Sequence, residues 1–250
     1  SSAASDVYKR QTYEHSINRH NFKVLAGMNH EAYRYKLIYG AKSSLQSDYL
    51  NDLNLGTGVA EASGGQSRWA LLGFFGRGTY DFAGKYLAEV NFRWDGSSRF
   101  PKHDRWGFFP SVALGWRISE ENFMEPLRKV IDNVKLRASV GSLGNQAIAD
   151  SYPYIQSLSP SLSTSYLMNG NKIYITSLGA PQSGDLTWET IITKNLGLDL
   201  GFFGNRLTAT ADFYIRDTKD MLIPGKELPG VYGMASVSYT HLTLPTICSV

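Results

Sequence analysis

The feature that most constrains this chain is a recurrent alternation, in which every second residue is apolar and its neighbours are polar or small. Within residues 86–94 the set Tyr, Ala, Val, Phe and Trp has one parity, whereas Glu89, Asn91 and Arg93 have the other. Since successive side chains of a β-strand point to opposite faces, this pattern predicts strands with one apolar and one charged face. The pattern predicts about eight strands, at residues 8–17 (the weakest), 22–28, 70–82, 86–94, 108–118, 133–141, 196–202 and 207–216.

The connections between these strands alternate between short and long. Short joins at residues 18–20, 83–85 and 204–205 come between longer ones at 40–66, 96–107 and 142–186. In outer-membrane barrels, short turns lie on the periplasmic side and long loops lie outside the cell. We therefore predict an all-β fold, an antiparallel up-and-down transmembrane β-barrel segment that is open in this chain. Residues 119–132 complete the alternation if they form an elongated periplasmic turn, with a short helix after Pro126 that carries Leu127, Val130 and Ile131 on one side.

Composition and charge exclude several other classes of protein. Aromatic residues make up 13% of the chain, and the 24 glycines far outnumber the 9 prolines, as expected for many strands and turns. A run of 18 apolar residues is absent, so the sequence predicts no transmembrane helix. The net charge of +3 is spread along the chain, and nucleic acid is not an expected partner. His, Cys and acidic residues show no metal or catalytic spacing, so we expect no enzyme activity, metal or cofactor.

Aromatic residues gather near the predicted strand ends, as at Tyr80, Phe82, Tyr86 and Trp94. Tyr and Trp favour the two membrane interfaces, where the ring is buried and its polar atom stays hydrated. The pattern favours two aromatic girdles, although aromatic residues are also common in strands of every kind.

Glycines recur on the predicted polar face, which in a barrel lines the lumen. They leave room for a plug domain inside the barrel, or they permit bends in a curved sheet, and the sequence does not separate these two interpretations. The residues concerned are Gly73, Gly115, Gly197 and Gly201.

Both ends of the chain depart from the alternation. Residues 1–10 and 238–250 resemble translated cloning or adapter sequence, and no signal peptide opens the chain. We therefore expect a non-native leader at 1–10, a native barrel segment at 11–237 and a non-native tail at 238–250, with the true start of an exported protein missing.

Several phrases resemble the SusC-like TonB-dependent receptors of the Bacteroidetes outer membrane, and they occur in the order found in that family. The phrases are HNFKVLAGMN at 20–29, FFGRGTYDFAGKYLAEVNFRWDGSSRF at 74–100, WGFFPSVALGWRISEENF at 106–123, VKLRASVGSLGNQ at 134–146 and LTWETIITKNLGLDLGFFGNRLTATADFYIRDTKDML at 186–222. Each phrase alone is weak, but together they cover most of the chain. The plug domain, the TonB box and the closing strand of the family are absent, so the chain resembles an internal fragment of a larger barrel.

The resemblance implies a part in nutrient import across the outer membrane of a Gram-negative bacterium. The full receptor would take up oligosaccharides or similar large nutrients, pair with a SusD-like surface lipoprotein, and draw energy from TonB through its plug. The fragment itself would contact outer-membrane lipid and would not be transport-competent. A non-energised porin-like barrel and a soluble carbohydrate-binding β-sandwich are the alternatives.

Ligand contacts are expected in the two longest predicted loops, residues 40–66 and 142–186, and just after them. Aromatic side chains there could stack on sugar rings, and amides could form hydrogen bonds with hydroxyl groups. The candidates are Asn145, Gln146, Tyr152, Tyr154, Tyr166, Asn169, Asn171, Tyr174 and Trp188. We also expect Asp95 to pair with Arg99 and stabilise the loop that follows residue 95.

Overall fold

The strands are longer than the sequence predicts. The computed structural model describes residues 2–46, 49, 52–127, 130–146, 152–179, 186–224 and 239–249, with the side chains of 163–166, 222–224 and 239–249 excepted. The strands are β1 (Ser2–Ile17), β2 (His20–Lys42), β3 (Ala60–Phe82), β4 (Tyr86–Ser97), β5 (Trp106–Arg117), β6 (Ile131–Asn145), β7 (Leu158–Met168), β8 (Asn171–Leu178), β9 (Glu189–Phe202), β10 (Leu207–Pro224) and β11 (Tyr239–Ser249).

Nine of these strands form one antiparallel sheet in the order β1-β2-β3-β4-β5-β6-β9-β10-β11. Neighbours in the sheet are therefore neighbours in sequence, except that β9 follows β6 because β7 and β8 pair with each other in a separate hairpin. In the described residues β1 and β11 are the two edges, so the sheet is not closed. This confirms an up-and-down barrel wall that is open in this chain. None of the described helices is long and apolar enough to cross a membrane.

All eight predicted strands are present in this sheet, and two further elements lie outside the prediction. The hairpin of β7 and β8 occupies the predicted loop at residues 142–186, and β11 pairs with β10. Residues 2–10 continue β1 and pair with β2. The non-native origin of residues 1–10 and 238–250 stays a prediction, because strand pairing does not test it.

Strand register gives the sheet two chemically different faces. The apolar face carries Val90, opposite Val112, and Val112 lies opposite Val140. The polar face carries Glu89, which contacts Arg77 diagonally on the neighbouring strand. It also carries Arg137, which lies directly opposite Gly197 and forms an ion pair with Asp199, two residues further along β9. Because directly paired residues of an antiparallel sheet share a face, the alternation of single strands continues from each strand to the next between β2 and β10.

The apolar face is open rather than packed into a core. Val90, Phe92, Leu136 and Phe213 are 51%, 43%, 36% and 49% exposed. A soluble β-sandwich would bury these side chains against a second sheet, but among the described residues the only other sheet is the hairpin of β7 and β8. The sandwich alternative is therefore wrong.

Aromatic rings form two rows on this apolar face. One row runs across β2 to β5, near the strand ends, through contacts of His20, Tyr80, Phe82, Tyr86 and Trp116. The other row contains Phe74, Trp94 and Trp106, with Trp94 and Trp106 centroids 4.8 Å apart. Tyr86 and Trp94 differ by eight positions in β4, or about 26 Å at roughly 3.3 Å per residue. A strand tilt of about 40° reduces this distance to a height of roughly 20 Å, somewhat less than the apolar band of about 25 Å between the aromatic girdles of outer-membrane barrels.

Three short joins and the longer join between β5 and β6 lie at one end of the sheet, here named the turn edge, and the opposite end is named the loop edge. At the turn edge β3 and β4 are joined through Ala83 and Gly84, with φ angles of 54° and 72°. Gly84 donates its backbone N–H to Asp81 Oδ1 at 2.7 Å, which stabilises the left-handed turn.

The join between β5 and β6 differs from the prediction. The short helix predicted after Pro126 is wrong, because a 3₁₀ helix at Asn122–Leu127 contains Pro126 and Ile131 already begins β6. Leu127 and Val130 are 50% and 47% exposed, so they do not form a buried helical side.

At the loop edge, strands replace much of the predicted loops. The pairing of β2 with β3 continues from His20↔Phe82 to Lys42↔Ala60 without a register shift. Each of these strands has 23 residues, about twice the 9 to 11 that a spanning strand needs. The hairpin of β2 and β3 therefore extends well beyond the apolar band.

Candidate functional site

Ion pairs within strands and between neighbouring strands lie on the polar face. Arg137 of β6 donates from Nε to Asp199 Oδ2 at 2.9 Å and from Nη2 to Asp212 Oδ1 at 3.2 Å, which links it to β9 and β10. Arg93 donates to both carboxylate oxygens of Asp95, at 2.9 and 3.0 Å. Two further pairs are Arg77 with Glu89 and Lys23 with Glu14. Opposite charges alternate along this face, so it presents a polar surface suited to a hydrated interior.

Glycines on the polar face leave room for these charged side chains. A Cβ added at Gly197 would lie 2.5 Å from Asp212 Oδ1 and 2.9 Å from Cζ of Arg137. A Cβ at Gly73 would collide with the side chains of Asp95 and Asn29. At these two positions the structure explains the glycine in a way that the sequence did not suggest. The absence of a side chain leaves space for an ion pair on the neighbouring strands. Space for a plug near the four glycines stays a prediction.

Glu121 joins two turns at the turn edge. Its carboxylate accepts hydrogen bonds from Tyr86 Oη at 2.7 Å, Lys85 Nζ at 3.1 Å and Trp116 Nε1 at 3.3 Å. These donors, Tyr86 first, hold the pKa of Glu121 below its ordinary value because they stabilise the ionised form. The turn after β3 and the join after β5 are thereby connected through one side chain.

A small apolar cluster lies towards the loop edge. It consists of Phe100, Phe109, Leu186 and Trp188, all 7% exposed or less, with Leu71 and Tyr154 packed against it. Trp188 Nε1 donates to the backbone oxygen of Arg105 at 2.9 Å, and the ring lies 5.2 Å from Phe100 and 5.5 Å from Phe109 between centroids. The cluster holds the join between β4 and β5 against the start of β9.

A cavity of about 500 Å³ lies next to this cluster, towards the loop edge. Its lining combines aromatic surface from Phe109 and Trp188 with the ion pair of Arg93 and Asp95. Amide and hydroxyl groups complete the lining, from Asn91, Ser111, Ser142, Asn145 and Gln146. Such a mixture of aromatic surface with convergent donors and acceptors is typical of small-ligand sites.

The structure brings three of the nine predicted ligand residues together, since Asn145, Gln146 and Trp188 line this cavity. Trp188 is only 5% exposed and packs within the apolar cluster, so its ring contributes an edge of the wall rather than an open stacking face. Tyr152 and Tyr154 make an edge-to-face contact at 6.3 Å, and Tyr154 adjoins the cluster.

The other predicted residues lie on the separate hairpin of β7 and β8. Asn169 has a φ of 50° before Gly170 at 77°, so it forms the tight turn between the two strands. Asn171 opens β8, and Tyr174 is 77% exposed. The side chain of Tyr166 lies outside the described residues.

Sequence reasoning missed the polar residues that the strands contribute to the cavity. Asn91, Arg93 and Asp95 share the polar parity of β4, a signal that was present in the alternation. The expected pair of Asp95 and Arg99 is wrong, since Asp95 pairs with Arg93 and Arg99 stacks 4.8 Å from the ring centroid of Trp69. In the described residues no group of three or more His, Cys, Asp or Glu could hold a metal ion.

Comparison with known proteins agrees with this architecture. The model of the family described as "TonB dependent receptor-like, beta-barrel" matches residues 2–241. This chain belongs to the TonB-dependent receptor β-barrel family. It is therefore a protein of the outer membrane of Gram-negative bacteria.

Among the relatives of this TonB-dependent receptor chain is the TonB-dependent receptor SusC of Bacteroides thetaiotaomicron, 41% identical over 156 residues. That match covers 62% of the chain and 16% of SusC. TonB-dependent receptor P3 of Formosa agariphila is 32% identical over 227 residues, which cover 90% of the chain and 22% of the relative. The chain thus spans about a fifth of the length of these curated receptors.

A solved structure has the same architecture. The structure of the RagAB peptide transporter superposes with a TM-score of 0.80 at 28% identity, over 95% of the chain and 26% of the solved chain. The RagAB peptide importer in an "open-open" state gives a TM-score of 0.78. These receptors are larger than the chain, so the wall described above corresponds to about a quarter of a barrel-containing protein.

Proposed function

We propose that this chain is part of an energised importer that carries oligosaccharides or similar large nutrients across the outer membrane. The observation that carries the proposal is the 41% identity to SusC over 156 residues, within a family match that spans nearly the whole chain. The separation of an apolar and a charged face supports a role as barrel wall. The fragment alone leaves strand edges unpaired in lipid, so it would not transport by itself.

The proposed partners follow from the resemblance to SusC-like receptors. A SusD-like lipoprotein would contact the receptor on the side of the loop edge, where β2, β3 and the hairpin of β7 and β8 extend beyond the apolar band. TonB would act through a plug domain in the lumen, which the polar face would surround. A non-energised porin-like barrel remains the alternative without TonB.

We propose that cargo contacts the loop-edge cavity and the residues around it. Asn145 and Gln146 offer amides to hydroxyl groups, and Phe109 offers part of an apolar wall. Tyr152 and Tyr174, which are 36% and 77% exposed, would add stacking surfaces, with Tyr154, Tyr166, Asn169 and Asn171 as further contacts and Trp188 as a buried support.

A peptide is the second candidate cargo, because the similar RagAB structures are named as a peptide transporter and importer. An oligosaccharide would use the amides and aromatic edges of the cavity. A peptide would also use its ion pair of Arg93 and Asp95, as these side chains could exchange partners with charged termini.

The proposal is tested with the complete receptor that contains these residues, expressed with and without its neighbouring lipoprotein in a host lacking its own copy. Uptake of labelled oligosaccharides and of labelled peptides of similar mass is compared, with and without a protonophore. Oligosaccharide uptake that requires the protonmotive force supports the proposal. Uptake of peptides alone selects the second candidate, and uptake indifferent to the protonophore supports a porin.

The cavity is tested by Gln146→Ala, with Gln66→Ala as the matched control. Gln66 is an exposed residue of β3 that faces away from the polar surface, opposite Lys36. We expect the Gln146 variant to lower cargo affinity roughly fivefold, as the loss of one hydrogen bond of about 1 kcal/mol predicts. Equal affinity of the two variants would remove Gln146 from the proposed site.

A further inference from the structure

Two arginines stand directly opposite each other on the apolar face of the hairpin of β2 and β3. Arg34 pairs with Arg68 in the antiparallel register, and that register is unbroken from His20 to Lys42. Both residues are exposed. Like charges in direct cross-strand positions repel each other, so the arrangement is unfavourable unless an anion lies between them.

The apolar face supplies no such anion. Across the described residues of β1 to β5, register places no Asp or Glu on this face, whereas Lys9, Arg34, Lys36, Lys42 and Arg68 all lie on it. The acids of the same hairpin, Glu31 and Glu61, have the opposite parity and lie on the polar face. Neither Arg34 nor Arg68 has an acidic partner within the part of the chain that the structure describes.

The height of the pair relative to the membrane identifies the kind of anion. Phe74 belongs to the aromatic row that also contains Trp94 and Trp106, on the side of the loop edge. Six positions separate Arg68 from Phe74, or about 20 Å along the strand. A strand tilt of about 40° reduces this to roughly 15 Å above the girdle. The pair is therefore outside the hydrocarbon, facing sideways into the saccharide layer of the outer leaflet.

We propose that Arg34 and Arg68 form a binding site for the phosphate groups of lipopolysaccharide in the outer leaflet. A phosphate between the two guanidinium groups would accept charge-assisted hydrogen bonds from both, in the forked geometry that arginine offers and lysine does not. The positive charges of Lys36 and Lys42, further along the same face, attract the same anionic layer. The inference rests on the placement of the barrel in the outer membrane and is independent of the cargo.

The test uses the complete receptor in detergent, titrated with rough-type lipopolysaccharide that bears its inner core and with the same glycolipid after chemical dephosphorylation. Bound glycolipid is counted by native mass spectrometry. We expect the wild-type receptor to prefer the phosphorylated form, and Arg34→Gln with Arg68→Gln to weaken its binding roughly tenfold or more while leaving the dephosphorylated form unchanged. Replacement of both residues by Lys should restore part of the affinity.

The matched control is Arg19→Gln with Arg206→Gln, which removes two exposed arginines at the turn edge and should leave binding unchanged. Equal binding by the Arg34 and Arg68 double variant and the wild type would overturn the proposal. So would a double variant that keeps glycolipid binding and loses its lipoprotein partner, because the arginines would then face a protein. If the double variant does not fold, equal binding of both glycolipid forms by the wild-type receptor overturns the lipopolysaccharide proposal. A failure of cargo uptake tests the proposed function and does not affect this proposal.

Discussion

Arginine substitutions at two adjacent residues of β5 compare the energetic cost of a charge on the two faces of the sheet. Val112 is 38% exposed on the apolar face, four positions from Phe108 and four from Trp116. At roughly 3.3 Å per residue it lies about 13 Å along the strand from each, and so near the middle of the apolar band. Ala113 has the opposite parity and lies directly across from Glu89 on the polar face.

Val112→Arg should lower the free energy of unfolding by about 2 to 4 kcal/mol, the cost of Arg on the lipid face at the bilayer midplane. Ala113→Arg should cost less than about 1 kcal/mol, because a hydrated lumen accepts the charge and Glu89 lies opposite. The complete receptor is refolded into lipid vesicles, and its reversible unfolding in guanidinium chloride is followed by tryptophan fluorescence. Equal costs for the two variants, or a larger cost for Ala113→Arg, would refute the assignment of the faces.

Three further predictions concern the residues that join strands. Gly197→Val should destabilise the receptor by about 1 to 3 kcal/mol in the same assay, because its side chain would displace Arg137; an unchanged midpoint would contradict this. Trp188→Phe should cost about 1 to 3 kcal/mol through the lost donor to the Arg105 carbonyl, and should speed hydrogen exchange between residues 98 and 105. Glu121 has a lowered pKa, so its stabilisation is complete above its unfolded value near 4.5 and is lost as pH falls through the folded value. Glu121→Gln should therefore reduce stability at neutral pH and flatten its decline in acid, and a parallel pH profile would count against that role.

Sequence and structure agree best where the position of a residue along a strand alone determines the face on which its side chain lies. The alternation in residues 86–94 predicts β4 and both of its faces, because parity is a local property of extended backbone. The same reasoning predicts the lengths of strands less well. Residues 29–42 and 60–69 lie beyond the row of Phe74, Trp94 and Trp106 and lack a clean alternation, yet they are paired throughout.

The lining of the candidate cavity could be predicted only in part, and its role in binding cargo stays a prediction. Loop composition indicates Asn145 and Gln146, but the residues facing them across the sheet belong to strands that are distant in sequence. Trp188 shows most clearly that sequence position does not predict the burial of a side chain. Its position after a polar loop suggests an open aromatic surface, whereas Phe100 and Phe109 bury it.

The sequence by itself determined that this chain is a wall of hairpins with one apolar and one charged face, since both properties follow from parity and from the lengths of the joins. Only the tertiary structure decided which charges meet. The contact of Arg137 with Asp199 and Asp212, the space above Gly197 and the opposition of Arg34 and Arg68 all depend on register between strands. Register is set by pairing across the sheet, and a shift of one residue would have moved every one of these side chains to the other face.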